Sequence, residues 1–153
     1  MNDESSLLDT DTITVSLGKH QGYDVLIVDD KNGANDRGKK EGKQKIRWRL
    51  DSSLKGAAFV ELDVEEPGFE WLSWPPPKQD IFYDTEIHKS GDLTIDDLHE
   101  TEASDGLWIY KLRVRASNGD VYQTTIGPET IPPKPGEPCV QMLLASNPII
   151  INR

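Results

Sequence analysis

The chain predicts an all-β fold, an antiparallel β-sandwich of about eight or nine strands, on three observations. Several segments alternate apolar and polar residues with a period of two, the pattern of strands that rest one face on a core and turn the other to water. An Asn-Gly pair joins two of these segments in the manner of a tight hairpin. No stretch of 12 or more residues carries an apolar stripe at the helical period of 3.6.

Taken in order, Ile13, Val15 and Leu17 alternate with Thr12, Thr14 and Ser16, which gives the first strand. Tyr23 to Val28 is apolar on both parities and reads as a second. Ile46, Trp48 and Leu50 alternate with Lys45, Arg47 and Arg49, so the aromatic parity faces inward and the basic one outward. Phe59 to Val64 and Phe82 to His88 are mixed strands. Thr94 to Ala103 is the best helical candidate, about two turns capped by Thr94 with Asp97 three residues on. Trp108, Tyr110, Leu112 and Val114 then alternate with Ile109, Lys111, Arg113 and Arg115. The following Ala116-Ser117-Asn118-Gly119-Asp120 predicts a type I′ turn, because Asn and Gly accept positive φ. Val140 to Leu144 and Ile149 to Ile151 form an apolar tail of strand character. The prolines gather in Trp74-Pro75-Pro76-Pro77 and between Pro128 and Pro138, where they fit surface connections rather than central strands.

With 153 residues the chain is one domain long, and the reading is a flexible N-terminal segment, 1–10, followed by a single sandwich domain, 11–153. A domain of this size buries enough surface to fold without disulfide or metal. There is no apolar run of membrane-spanning length, and the start MNDESSLLDTDT lacks the basic and apolar regions of a secretory signal. The lone Cys139 agrees with a reducing compartment, so the expectation is a cytoplasmic protein.

Asp105 to Val114 followed by Ser117-Asn118-Gly119 resembles the penultimate hairpin of immunoglobulin-like sandwiches, and Ile46 to Leu50 resembles their central strand with its buried tryptophan. Asn147-Pro148-Ile149-Ile150-Ile151-Asn152 is similar to the Asp-Pro-hydrophobic ending of small bacterial sandwich families of unknown function, among them the DP-EP family. The resemblance spans about 40 residues, with Asn147 in place of the aspartate and Leu112 where the second disulfide cysteine of antibody domains would stand. It implies an immunoglobulin-like sandwich and no activity.

The chemical motifs are sparse. Cys139 and Met142 suggest the closing loop of a copper site, but no histidine follows them. His20, His88 and His99 lack zinc-ligand spacing and read as surface residues. Asp29 to Asp36 contains a D-x-N-G fragment, yet Val28 and Lys39 occupy the first and last ligand positions of a calcium loop, so a turn accounts for it. Asp96, Asp97 and Glu100 read as a solvated acidic turn, and Asp84 with Glu86 as a chance pair on one strand face. The nucleophile-elbow, phosphate-loop, dinucleotide and HExxH motifs are all missing. The expectation is no catalytic residue, no metal and no cofactor.

The net charge is −10, but it is segregated: residues 51–105 hold three basic and fifteen acidic side chains, while seven of the 17 basic residues fall between Arg37 and Arg49. An acidic protein is a poor ligand for duplex nucleic acid. If the Trp48 and Trp108 strands adjoin as in immunoglobulin domains, Lys45, Arg47, Arg49, Lys111, Arg113 and Arg115 form one basic strip. That strip would either be neutralised by neighbouring carboxylates or bind an anionic ligand, a protein partner or a second copy of the chain. A second candidate surface is aromatic: Trp71 and Trp74, with Tyr83, would stack on carbohydrate if exposed, and pack inward otherwise. The functional expectation is a non-catalytic binding or assembly module, self-associating through opposite charges or through apolar edges such as Ile149 to Ile151. A carbohydrate-binding module is the alternative and an enzyme the third.

Overall fold

The computed structural model describes residues 12–20, 22–29, 33–73, 75–124 and 148–153, with the backbone alone at His20. The segments 1–11 and 125–147, and with them the N-terminal arm, the Pro128–Pro138 stretch, the Val140–Leu144 strand, Cys139 and Met142, lie outside the described residues, as does Trp74.

The fold is all-β, two sheets closed on a shared core. The strands are β1 (Thr12–His20), β2 (Tyr23–Asp29), β3 (Asp36–Arg37), β4 (Lys43–Leu50), β5 (Ala58–Phe59), β6 (Phe69–Trp71), β7 (Phe82–Ile87), β8 (Leu93–Leu98), β9 (Gly106–Arg115), β10 (Val121–Gln123) and β11 (Ile149–Asn152). The first sheet runs β2-β1-β4-β8-β7. The second is organised around β9, whose Arg113 and Ile109 bond toward β5 and β6 through Gly68, Val60 and Leu72. Its Leu112 and Tyr110 bond the opposite way, to Thr124 and Pro148 beside β10 and β11. Alternate residues of a strand point their amides to opposite edges, so four short strands share one long one.

The alternation seen in the sequence sets the core. Ile13, Val15, Ile46, Trp48, Leu93 and Ile95 from the first sheet meet Tyr110, Leu112, Val114 and Ile150 from the second, each at most 1% exposed. Every such side chain contributes about 1.5–3 kcal/mol by leaving water.

Several expectations are corrected. The sheets are mixed rather than wholly antiparallel, since β1 runs parallel to β4 and β11 parallel to β3. Thr94–Leu98 is strand, not helix, because Leu93 and Ile95 are needed in the core and β8 pairs on both sides, with β4 and β7. Only the end of the helical candidate coils, as a 3-10 turn at Glu102–Ser104 capped by the Thr101 hydroxyl. Phe59–Val64 is strand only at Ala58–Phe59. The hairpin is present, but Gly119 alone has positive φ, 96°, and its N–H bonds the Ala116 carbonyl while the Ala116 N–H bonds Asp120. That is a three-residue loop, a type I turn closed by a glycine bulge, in place of the two-residue type I′ turn.

Candidate functional site

The six basic positions do not form one strip. Strand β4 lies in the first sheet and β9 in the second, so their outward faces look away from each other. The immunoglobulin-like neighbour relation that would have joined them is not what these strands make.

Each half is occupied by carboxylates. Lys45 stands opposite Asp96 in register and approaches it to 3.2 Å, with Lys43 at 3.4 Å from the same carboxylate. The Asp96 charge holds the Lys43 ammonium above its usual range. Arg47 and Arg49 both bond Asp92, at 3.0 and 2.9 Å. Burial by itself would raise the Asp92 carboxyl, but the hydrogen bonds and charges of Arg49 and Arg47 outweigh it and hold the group below its ordinary value. On the other sheet Arg113 pairs with Glu70 at 2.6 Å and Arg115 with Glu61 at 3.0 Å, while Lys111 sits buried opposite Glu70. The cations are thus partnered by carboxylates of adjacent strands and loops.

Trp71 is half-buried, 4.7 Å from Phe82, 5.0 Å from Phe69 and 6.3 Å from Tyr110 between ring centroids, and so belongs to the aromatic packing around Trp48 rather than to an open platform. Tyr83 is half-buried on β7. Asp84 and Glu86 are exposed on the same strand, where Asp84 occupies an irregularity with φ 53°.

A buried polar cluster closes one end of the core, and it reverses the surface assignment of Asp96, Asp97 and His99. His99 and Asp97 are both fully buried, and Asn152 and Ser104 nearly so. The Asn152 amide donates to Asp97 Oδ1 at 3.0 Å and to the Ser104 carbonyl at 3.1 Å. Asp97 Oδ2 and Asn152 Oδ1 have no hydrogen-bond partner. Desolvation raises the Asp97 carboxyl against the opposing influence of Asn152, His99 and Arg37. His99 Nδ1 lies 2.7 Å from Ser104 Oγ, and Nε2 lies 2.9 Å from the Arg153 carbonyl and 3.6 Å from Asp105. A serine, a histidine and a carboxylate therefore meet beside a shallow cleft of about 170 Å³ walled by Ile81, Leu98, Glu100 and Thr101. The Ser104 and Asp105 N–H groups are both used inside the 3-10 turn, so neither faces the cleft as an oxyanion donor. The Ser104 hydroxyl also lies within 3.1 Å of the Thr101 carbonyl. The cluster ties β8, the turn and β11 together. Its hint in the sequence was Asn152 after three isoleucines, a polar residue where the core parity continues.

His88 is half-buried and bonds the Thr94 hydroxyl at 2.7 Å. Among the described residues no three of His, Cys, Asp and Glu converge as metal ligands, and no helix is long and apolar enough to cross a membrane.

The sheet edges differ in how they are protected. Strand β7 carries the Asp84 irregularity and two exposed acids, while β3, β5, β6 and β10 are two or three residues long. Bulges, charges and shortness are the usual devices that stop an edge from pairing. The tail Ile149–Ile151 is no edge, since β11 lies between β9 and β3. Strand β2 is neither short nor bulged: it pairs with β1 in unbroken register from Tyr23 to Asp29 and contains neither proline nor lysine. Its acids are Asp24, paired with Lys19, and Asp29. Among the described residues no strand pairs with its other edge, although β10 of the second sheet packs close to it. Tyr23 is 66% and Ile27 43% exposed on its outer face, the parity on which the sequence already showed apolar residues beyond what one core requires.

No family model, no curated protein and no solved structure matches this chain.

Proposed function

We propose that this protein is a non-catalytic binding and assembly module that takes an extended partner strand along the outer edge of β2, with which no described strand pairs. Strand addition gives affinity through main-chain hydrogen bonds and selectivity through alternate side chains, so it requires a long, regular, uncapped edge with apolar contacts on at least one face. The observation that carries the reading is the contrast between β2, seven regular residues with exposed Tyr23 and Ile27, and the other described edges, which are short or bulged. The engagement of the basic residues by Asp92, Asp96, Glu70 and Glu61 supports it further, because their charges are already partnered within the fold.

Titrating a panel of seven-residue peptides of alternating Val and Thr or Lys, while following backbone amide shifts, tests the reading. Shifts should concentrate on β2 and its neighbour β1. Shifts confined to the surroundings of Trp71 or to the cleft beside Ser104, or no binding by any peptide, would count against it.

A further inference from the structure

The geometry points to a second copy of this chain as the occupant of the β2 edge, with the two β2 strands antiparallel about a two-fold axis at Val25. The inference rests on the strand-addition reading above and adds the partner and the register. An isologous pairing requires the same segment to complement itself. In antiparallel pairs, residues directly opposite share a face, so the register can be read from the residue types.

Centred on Val25, the pairing sets Tyr23 against Ile27 of the second copy, and Ile27 against Tyr23, on the outer face. These are the two exposed apolar side chains of the strand, and an aromatic opposite a β-branched residue is a favourable cross-strand pair. Asp24 falls opposite Leu26, so no carboxylate faces another; Asp24 itself is neutralised by Lys19 at 2.6 Å. A register centred on Asp24 would set that carboxylate against its own copy, two like charges in contact. A register centred on Leu26 would leave Tyr23 against Asp29 and Ile27 against Val25, without the exposed pair. On the other side of β2, Gly18 of β1 leaves room for Ile27. A Cβ there would stand 2.7 Å from Ile27 Cγ1, so the absent side chain is what lets Ile27 lie flat on the sheet. The product is one continuous sheet of ten strands, five from each copy.

Sedimentation equilibrium of four proteins tests this. The parent should be a concentration-dependent dimer. Tyr23→Glu and Ile27→Lys should each weaken it about tenfold or more, since symmetry counts each change twice. The double variant Tyr23→Glu/Ile27→Lys should regain dimerisation, because the introduced acid and base face each other only in the Val25-centred register. Far-ultraviolet circular dichroism checks that all four are folded. A parent that stays monomeric at high concentration overturns the inference, and if strand peptides still shift β2 the binding reading survives it. A dimer whose single variants dissociate while the double variant is not rescued overturns the register.

Discussion

Trp48 Nε1 donates a 2.9 Å hydrogen bond to the Tyr110 hydroxyl, and since Trp48 stands on β4 and Tyr110 on β9, this bond crosses the core from one sheet to the other. Both side chains are fully buried, and Phe69 packs against both rings, 5.4 Å from Trp48 and 5.3 Å from Tyr110. A buried indole N–H without an acceptor bears the full cost of its lost hydration. Tyr110→Phe should therefore destabilise the fold by about 1–3 kcal/mol with little change of shape. Urea unfolding followed by tryptophan fluorescence measures it.

Much of this core was legible in the sequence and the arrangement of its sheets was not. Alternation at 13–17, 46–50 and 108–114 reported which side chains face inward, because a half-buried strand needs it. It carried no information on which strand lies beside which. The Trp48 and Trp108 segments have the same pattern whether they are neighbours or face each other across the core, so the basic strip dissolved once they were placed in opposite sheets. Thr94 to Leu98 was misread because Asp96 and Asp97 suggest a solvated turn. Asp96 is buried only by virtue of Lys43 and Lys45 on β4, and Asp97 by Asn152 at the far end of the chain. The β2 edge was half visible: Tyr23 to Val28 is apolar on both parities, but a strand buried on both faces would look the same.

The arginine pair on Asp92 predicts an acid-sensitive stability. The carboxyl is held below its ordinary value of 3.8, so it contributes stability above that value and loses it as the pH falls through the lowered one. Asp92→Asn should cost about 2 kcal/mol at pH 7, since it removes the carboxylate that both arginines bond, and the penalty should shrink toward zero in strong acid. Chemical denaturation of parent and variant along a pH series checks the convergence.

Asp97 has the opposite sign. Its carboxyl is raised by burial, so the folded state favours the protonated form at low pH, and this advantage is lost as the pH rises through the raised value. An amide at the same place carries no charge to desolvate and supplies the donor that Asn152 Oδ1 lacks. Asp97→Asn should thus match the parent near pH 4 and exceed it by about 1 kcal/mol at pH 8, whereas Asp97→Leu, which removes the acceptor of the Asn152 amide, should destabilise at both. Thermal unfolding at the two pH values separates these outcomes.

At the β9–β10 turn, Gly119 adopts φ 96° with open space where a Cβ would point. Steric crowding is therefore absent and backbone strain alone decides. Gly119→Val should lower stability by about 1–3 kcal/mol, and Gly119→Asn by distinctly less, because Asn tolerates the left-handed region. The difference between the two melting temperatures is the readout.

The most direct test of β2 as the working edge is amide hydrogen exchange resolved by residue, at low protein concentration, at high concentration, and at low concentration with a strand peptide in excess. Exchange at Tyr23–Asp29 should slow with concentration or with peptide, while Phe82–Ile87 on the opposite, bulged edge keeps its rate in all three conditions. Equal exchange across β2 in all three, or slowing at β7 instead, would contradict the account.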